Sequence, residues 1–235
     1  GVMPQTEEHA AILTLLGIKN FVIAVTKADS VDPEMCQLTI DDIREHFKET
    51  PLASAPLVVT DAVTGRGIDD LIKVMDQVAS KVQKHRPGTN PRLNIDRVFT
   101  IRGHGTVVTG TLIDGAIKLG DNLMVYPDQL PVRVKNIQVN DADQPVAAPD
   151  HRVALNLDVK ANLLHKGDVI TVKGNVQPSK LLDVELQMLP GVPALKLNER
   201  FRLYIGSVET FGRIYPMGED TINSGSKCLA QLRLE

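Results

Sequence analysis

Apolar positions follow two different rhythms along this chain. In the first 85 residues they alternate between helical spacing and short continuous runs. Ala10, Leu13 and Leu16, with Ile12 and Leu15, form a broad helical face. Thr6 is placed to cap that helix, Glu7 and Glu8 suit the positive end of its dipole, and Gly17 fits its stop. Phe21–Val25 is an unbroken apolar run, the pattern of a strand buried on both faces in a parallel sheet. A second helix is expected over Thr39–Phe47 and a second buried strand over Leu57–Val59. Ile68, Leu71, Ile72, Met75, Val78, Ala79 and Val82 predict a third helix. The order helix–strand–helix–strand–helix is half of a doubly wound α/β domain.

After a polar stretch rich in proline and glycine, Lys84–Pro91, the rhythm changes. Strands are predicted over Val98–Ile101, Thr106–Leu112, Asn122–Tyr126, Val132–Val139, Arg152–Leu157 and Val169–Val172. Glycines at 103, 105, 110, 115 and 120 punctuate them, which suits a small β-barrel or sandwich. A second break near Gly174–Ser179 precedes further strands, including Leu182–Leu189, Phe201–Ile205 and Cys228–Leu234. The reading is multidomain: an α/β part over 1–85, a linker at 86–91, a β-barrel over 92–175 and further β structure over 178–235.

Composition narrows the function. With 43% hydrophobic and 23% charged residues, the chain is not of a disordered type. A net charge of −3 supplies no global basic field, so nucleic acid would have to be met by local patches. Aromatics at 3%, with no Trp, argue against a base-stacking platform. No apolar run reaches the roughly 20 residues of a membrane span, so a cytoplasmic protein without membrane contact is expected. Cys36 and Cys228 form no CxxC and read as reduced thiols. No His/Cys cluster has metal-ligand spacing, and Ser207 and Glu209 have no matching His for a triad.

Thr26-Lys27-Ala28-Asp29 follows directly on a buried strand, where α/β sheets place ligand-binding residues. A carboxylate there can accept from the N1–H and 2-amino group of guanine, a donor pair that adenine lacks, while the Lys27 stem lies over the purine face. The same four residues also fit a plain polar turn. Thr60-Asp61-Ala62 follows the next strand, and Gly65-Arg66-Gly67 opens the next helix. A loop there can offer backbone N–H groups to the guanine O6. Two such loops in order favour guanine recognition by Thr26, Lys27, Asp29, Asp61 and Ala62.

Taken with longer segments, these motifs resemble the elongation factor Tu superfamily of translational GTPases. Gly1–His9 resembles the stretch after that superfamily's second switch. Arg97–Thr111, continued by Ile117–Asp121, resembles the start of its second domain. The match is nearest to its selenocysteine-specific branch: Thr26 stands where most of the superfamily has Asn, and Asn94–Phe99, Arg152–Leu157, Leu203–Glu209 and Leu229–Glu235 resemble segments of that branch. The resemblance covers essentially the whole chain. Asp61 departs from the usual Ser.

The resemblance implies GTP/GDP with Mg2+ as cofactor, and selenocysteinyl-tRNA, the ribosome and an mRNA hairpin as partners. It implies GTP-dependent delivery of selenocysteinyl-tRNA for selenocysteine incorporation. No GxxxxGK[ST] occurs in the 235 residues. The phosphate loop is therefore expected to precede Gly1 and the mRNA-reading winged-helix part to follow Glu235, which leaves no catalytic residue here and no GTP hydrolysis by the chain alone. The aminoacyl pocket maps to Asp96, Arg97 and Arg152. Without the resemblance these three read as solvated surface charges, and with it as the pocket; Arg200, Arg202 and Arg213 are candidates for the tRNA backbone and could as easily be a solvated strand face. His104, between two glycines, reads as an exposed turn residue. Two other readings stand beside this one: a carrier of ordinary aminoacyl-tRNA or an initiation-factor relative, and a non-enzymatic RNA-binding β-barrel module.

Overall fold

A computed structural model describes residues 1–82 and 88–235. The chain divides into two compact units, Gly1–His85 and Arg86–Glu235.

In the first unit, α1 spans Pro4–Leu15. It begins two residues before the expected Thr6 cap, because Pro4 supplies the preset φ of a first helical position and Met3 takes the cap place without a side-chain bond. It stops at Gly17 as expected. The Gly17 N–H donates to Thr14 O (3.0 Å) and the Ile18 N–H to Leu13 O (3.1 Å), the paired bonds of a Schellman ending. Strand β1 (Ile23–Val25) is shorter than the apolar run and pairs in parallel with β2 (Leu57–Val59), Val25 opposite Val59. Helix α2 runs over Pro33–His46, six residues longer at its start than expected. Asp32 caps it, accepting from the Met35 N–H at 2.8 Å, and Pro33 again occupies the first turn. Helix α3 covers Ile68–Ala79. Ala10, Phe47 and Leu52, with Phe21, Ile23 and Ile43 against them, form this unit's core.

The second unit is all β. Strands β3 (Arg92–Ile101), β4 (Gly105–Asp114), β5 (Ile117–Lys118), β6 (Asn122–Tyr126), β7 (Leu130–Val139), β8 (Ala142–Asp143), β9 (Val146–Ala147), β10 (His151–Leu157) and β11 (Val169–Thr171) build its first part. Six of them pair in the order β10-β4-β3-β11-β6-β7, and β7 pairs back onto β10. That closure makes a six-stranded barrel and removes the sheet edges. Alternation fills the interior: Val108 and Leu112 of β4, Val153, Leu155 and Leu157 of β10, and Leu93 and Ile95 of β3 are buried in one core. The linker expected at 86–91 falls partly outside the described residues. Its described part is tied to the barrel, with the Gly88 N–H on Asp114 Oδ1 (2.7 Å) and Asn90 on Asn175 (2.8 Å).

The remaining strands are β12 (Leu181–Gln187), β13 (Leu195–Lys196), β14 (Arg200–Ile205), β15 (Val208–Pro216), β16 (Thr221–Ile222) and β17 (Lys227–Leu234). Four form a sheet ordered β12-β17-β15-β14 over a separate core of Met188, Ile214, Ile222, Ala230 and Leu232. Both cysteines are free thiols, and burial pushes the Cys228 thiol upward in pKa. Among the described residues, no helix is long and apolar enough to cross a membrane.

Candidate functional site

Parallel pairing of β1 and β2 brings the two expected guanine loops side by side at the strands' carboxyl ends. After β1, Lys27 takes a left-handed conformation (φ 58°), and Ala28–Ser30 forms one 3₁₀ turn that turns Asp29 toward the second loop. Asp29 Oδ1 accepts from Arg66 Nη1 at 2.7 Å and its Oδ2 from Thr64 Oγ1 at 2.6 Å. The Thr64 and Arg66 donors hold this exposed carboxyl below its usual pKa.

Asp61, at the superfamily's serine position, is buried and organises the loop. Its carboxylate accepts from the Val63, Thr64 and Asp29 N–H groups at 2.9, 3.2 and 3.2 Å. The structure thus brings Asp29 and Asp61 together through the Asp29 backbone. Thr26, Lys27 and Ala62 are exposed beside them. No hydrogen bond from the Ala62 N–H to another described residue is present. A free backbone donor, a carboxylate with further lone pairs and an exposed lysine stem together fit a guanine base. No GxxxxGK[ST] stands in the sequence to assign to the phosphates or Mg2+.

The second site lies on the outer face of the barrel. Ile95 is buried and Val98 packs on the core, so strict alternation would leave one outward residue between them. Two stand there, Asp96 and Arg97, because β3 bulges against β4 at this point. Gly110, opposite Ile95, permits the close strand approach: a Cβ there would lie 2.1 Å from Asn94 O. The bulge sets Asp96 beside Thr109, whose Oγ1 donates to Asp96 Oδ1 at 2.7 Å. Arg152 on β10 reaches the same carboxylate with both terminal nitrogens, Nη1 to Oδ2 and Nη2 to Oδ1. Arg152 foremost, and also Thr109 and Arg97, hold the Asp96 carboxyl below its ordinary pKa against the cost of partial burial. Arg97 is exposed and has no ion pair among the described residues.

Two residues further along the same strands is a feature that sequence reading missed. A cavity of about 250 Å³ is lined by Ile101, His104, Val107, Asp143, Ala154 and Asn156, among others. Ala154 opposes Thr109 on β4, so this cavity and the arginine–aspartate cluster share one outward face. Asn136 and Gln138 donate to Asp143, each at 2.9 Å. Asn156 donates to His104 O at 2.6 Å while its Oδ1 is buried without a partner among the described residues. His104 is an exposed turn residue, as expected, and also part of this rim. Pairing of the strands assembles the cavity from five of them, β3, β4, β7, β8 and β10, so no local motif announces it.

On the last sheet, Arg200, Arg213 and Arg233 stand in one row across β14, β15 and β17. Arg200 lies 4.2 Å from the Phe211 ring centre and Arg233 lies 4.0 Å from that of Tyr215. Glu235 pairs with Arg200 and Glu209 with Arg202. Arg233 was not among the basic residues singled out by sequence; the register reveals it.

Residues 1–81 match the family described as elongation factor Tu GTP binding domain. The selenocysteine-specific elongation factor of Desulfomicrobium baculatum is 34% identical over 235 residues, 99% of this chain and 37% of that protein. That of Escherichia coli (strain K12) is 36% identical over 189 residues, 80% of this chain and 30% of its own length. A crystal structure of a bacterial selenocysteine-specific elongation factor superposes with a TM-score of 0.86 at 27% identity, covering 100% of this chain and 38% of that one. The chain thus spans about a third of the length of these relatives. Similarity along 99% of the chain, with the family match over residues 1–81, shows that the chain belongs to the elongation factor Tu superfamily of translational GTPases, among the selenocysteine-specific elongation factors.

Proposed function

We propose that this chain belongs to a cytoplasmic GTPase that delivers selenocysteinyl-tRNA to the ribosome, and that its barrel holds the aminoacyl end. The observation that carries this reading is the bulged acid–arginine pair on β3, with Arg152 locked onto Asp96 and Arg97 without an ion pair among the described residues.

A selenol is more acidic than a serine hydroxyl, so at neutral pH the selenocysteine side chain is a selenolate anion. Asp96 fixes the Arg152 guanidinium, and Arg97 offers a second one beside it. An anion next to two guanidinium groups gains charge-assisted contacts that a neutral hydroxyl does not. Selectivity then arises as a difference of affinities. The aminoacyl group is esterified to the terminal nucleoside of the tRNA, and the adjoining cavity, with its Asn156, Asp143 and His104 rim, suits that nucleoside. The arginine row on the last sheet, Arg200, Arg213 and Arg233 with Arg202, suits the tRNA phosphate backbone. Recognition of an mRNA hairpin belongs to other parts of such a protein.

At the first site, Asp29 would accept the N1–H and 2-amino protons of guanine, the Ala62 N–H would donate to O6, and the Lys27 stem would cover the base. GTP with Mg2+ supplies the hydrolysis that times release. The 235-residue chain by itself lacks a phosphate loop motif, and a phosphate-release assay on it is expected to show no turnover above buffer. Measured turnover would refute that assignment.

Binding of seryl- and selenocysteinyl-tRNA to the whole protein and to its Arg97→Ala/Arg152→Ala double variant tests the aminoacyl pocket. The wild-type protein should prefer selenocysteinyl-tRNA. The double variant should lose that preference by about tenfold or more, as expected for two charge-assisted bonds. An unchanged preference would refute the pocket.

A further inference from the structure

At the bulge the β3–β4 register shifts between Ile95 and Arg97, and the Ile95 peptide groups bond to the segment that leads into β11. The Ile95 N–H donates to Asp168 O at 2.8 Å. Ile95 O accepts from the Gly167 N–H at 2.8 Å and from Ser207 Oγ at 2.7 Å. Ser207 is not a barrel residue. It sits in the two-residue turn between β14 and β15, where Ile205 pairs with Val208.

The turn fits tightly against the barrel. Gly206, at φ +57°, has no room for a side chain: a Cβ would lie 2.7 Å from Asn94 Nδ2. Gly167, at φ +101°, is closed off in the same way, with a Cβ falling 2.6 Å from Val208 Cγ2. The Ser207 bond and both close approaches therefore meet at Asn94, Ile95 and the loop that binds Ile95. The next residue is Asp96, which binds Arg152 and Thr109 and feels the charge of Arg97.

We propose that Ser207 is a positioning residue: by holding the Ile95 carbonyl, the β14–β15 turn fixes the β3 bulge and so aims Asp96 at Arg152. A buried carbonyl with two donors is held in direction as well as in place. Without Ser207 the Gly167 bond remains, but the peptide between Ile95 and Asp96 can rotate, and Asp96 shifts relative to the Arg152 fork. The last sheet and the outward barrel site are thus coupled through one hydroxyl. The coupling of Ser207 to Asp96 stands on geometry alone. Its consequence for aminoacyl recognition rests on the function proposed above.

The test is an NMR titration of the Asp96 carboxyl in the 235-residue chain, for wild type and for Ser207→Ala, Ser207→Cys and Ser207→Thr. The alanine variant should titrate upward of wild type, toward an ordinary aspartate, as the Arg152 contact loosens. Threonine keeps the hydroxyl and should restore the wild-type titration, and cysteine, a weak donor, should fall between. The Asp29 carboxyl, in the other unit, serves as the control and should not move. If the alanine variant fails to fold, the order of cysteine against threonine decides the same question. Equal Asp96 titration in the variants that fold, with and without the hydroxyl, would overturn the proposal. If Asp96 responds as expected but the whole protein shows no preference for selenocysteinyl-tRNA, the positioning role stands and the aminoacyl reading fails.

Discussion

Three aspartates show how neighbours decide what one side-chain type does. Asp61 is buried, and its oxygens are spent on backbone N–H groups, so it builds a loop. Asp29 is exposed, and its partners are the mobile ends of Thr64 and Arg66, which a ligand can share or displace. Asp96 is bound by a two-nitrogen fork and a threonine hydroxyl, so it holds a cation in one orientation. This gives Asp96 a pH signature of definite sign. Its folded-state pKa lies below its unfolded value, chiefly through Arg152. Its stabilising contribution is therefore complete above the ordinary aspartate pKa, about 4, and is lost as pH falls through the folded value. Urea denaturation of wild type and Asp96→Asn as a function of pH should show the wild type's advantage constant near neutrality and shrinking below about pH 4. Comparing the pair separates Asp96 from Asp29, Asp143 and Glu235, which are also held low. An advantage independent of pH would show that the Arg152 pair does not stabilise the fold.

Among the elements, those with a strong local signal were legible in sequence and those made by pairing were not. The β2 and β6 strands match their expected spans residue for residue, since each is short and bounded by a proline on one side and a polar residue on the other. Helix α2 starts six residues ahead of its expected start, and of Pro33–Leu38 only Cys36 is buried, with Met35 and Leu38 exposed. The true start signal was chemical, an Asp-Pro pair in which Asp32 caps and Pro33 opens the helix. Strand β3 was begun six residues late for a related reason. Its inward residues are Leu93, Ile95 and Val98, and the extra residue between the last two breaks the period of two that marks a strand. The irregularity that hid the strand is the one that brings Asp96 and Arg97 out on the same face. Resemblance located those two residues and Arg152, but the clamp between Asp96 and Arg152 depends on β4 lying between their strands. Barrel closure likewise decides the cavity at Asn156, and strand register decides the arginine row. Neither is encoded in any one segment.

Over the whole molecule, burial is distributed unevenly between the two units. The large side chains that are most completely buried, among them Leu93, Ile95, Leu112, Leu155 and Ile214, all belong to the second unit. In the first, α3 buries no residue completely, Ile12, Leu13 and Leu15 of α1 and its cap residue Leu16 are exposed, and β1 and β2 form a two-stranded sheet of three residues each. Two strands alone are marginal, and parallel pairing gains less per residue than antiparallel. Local opening should therefore cost little free energy in the first unit and approach the global value in the closed barrel. Hydrogen exchange followed by mass spectrometry should show peptides covering β1, β2 and α3 exchanging first and those covering β3, β4 and β10 last. The guanine loops hang from β1 and β2, so a ligand that binds them only when formed should slow exchange there by mass action and leave the barrel unchanged. Exchange at β1 and β2 as slow as in the barrel would contradict this ordering, and would mean that the first unit draws stability from contacts other than its own buried core.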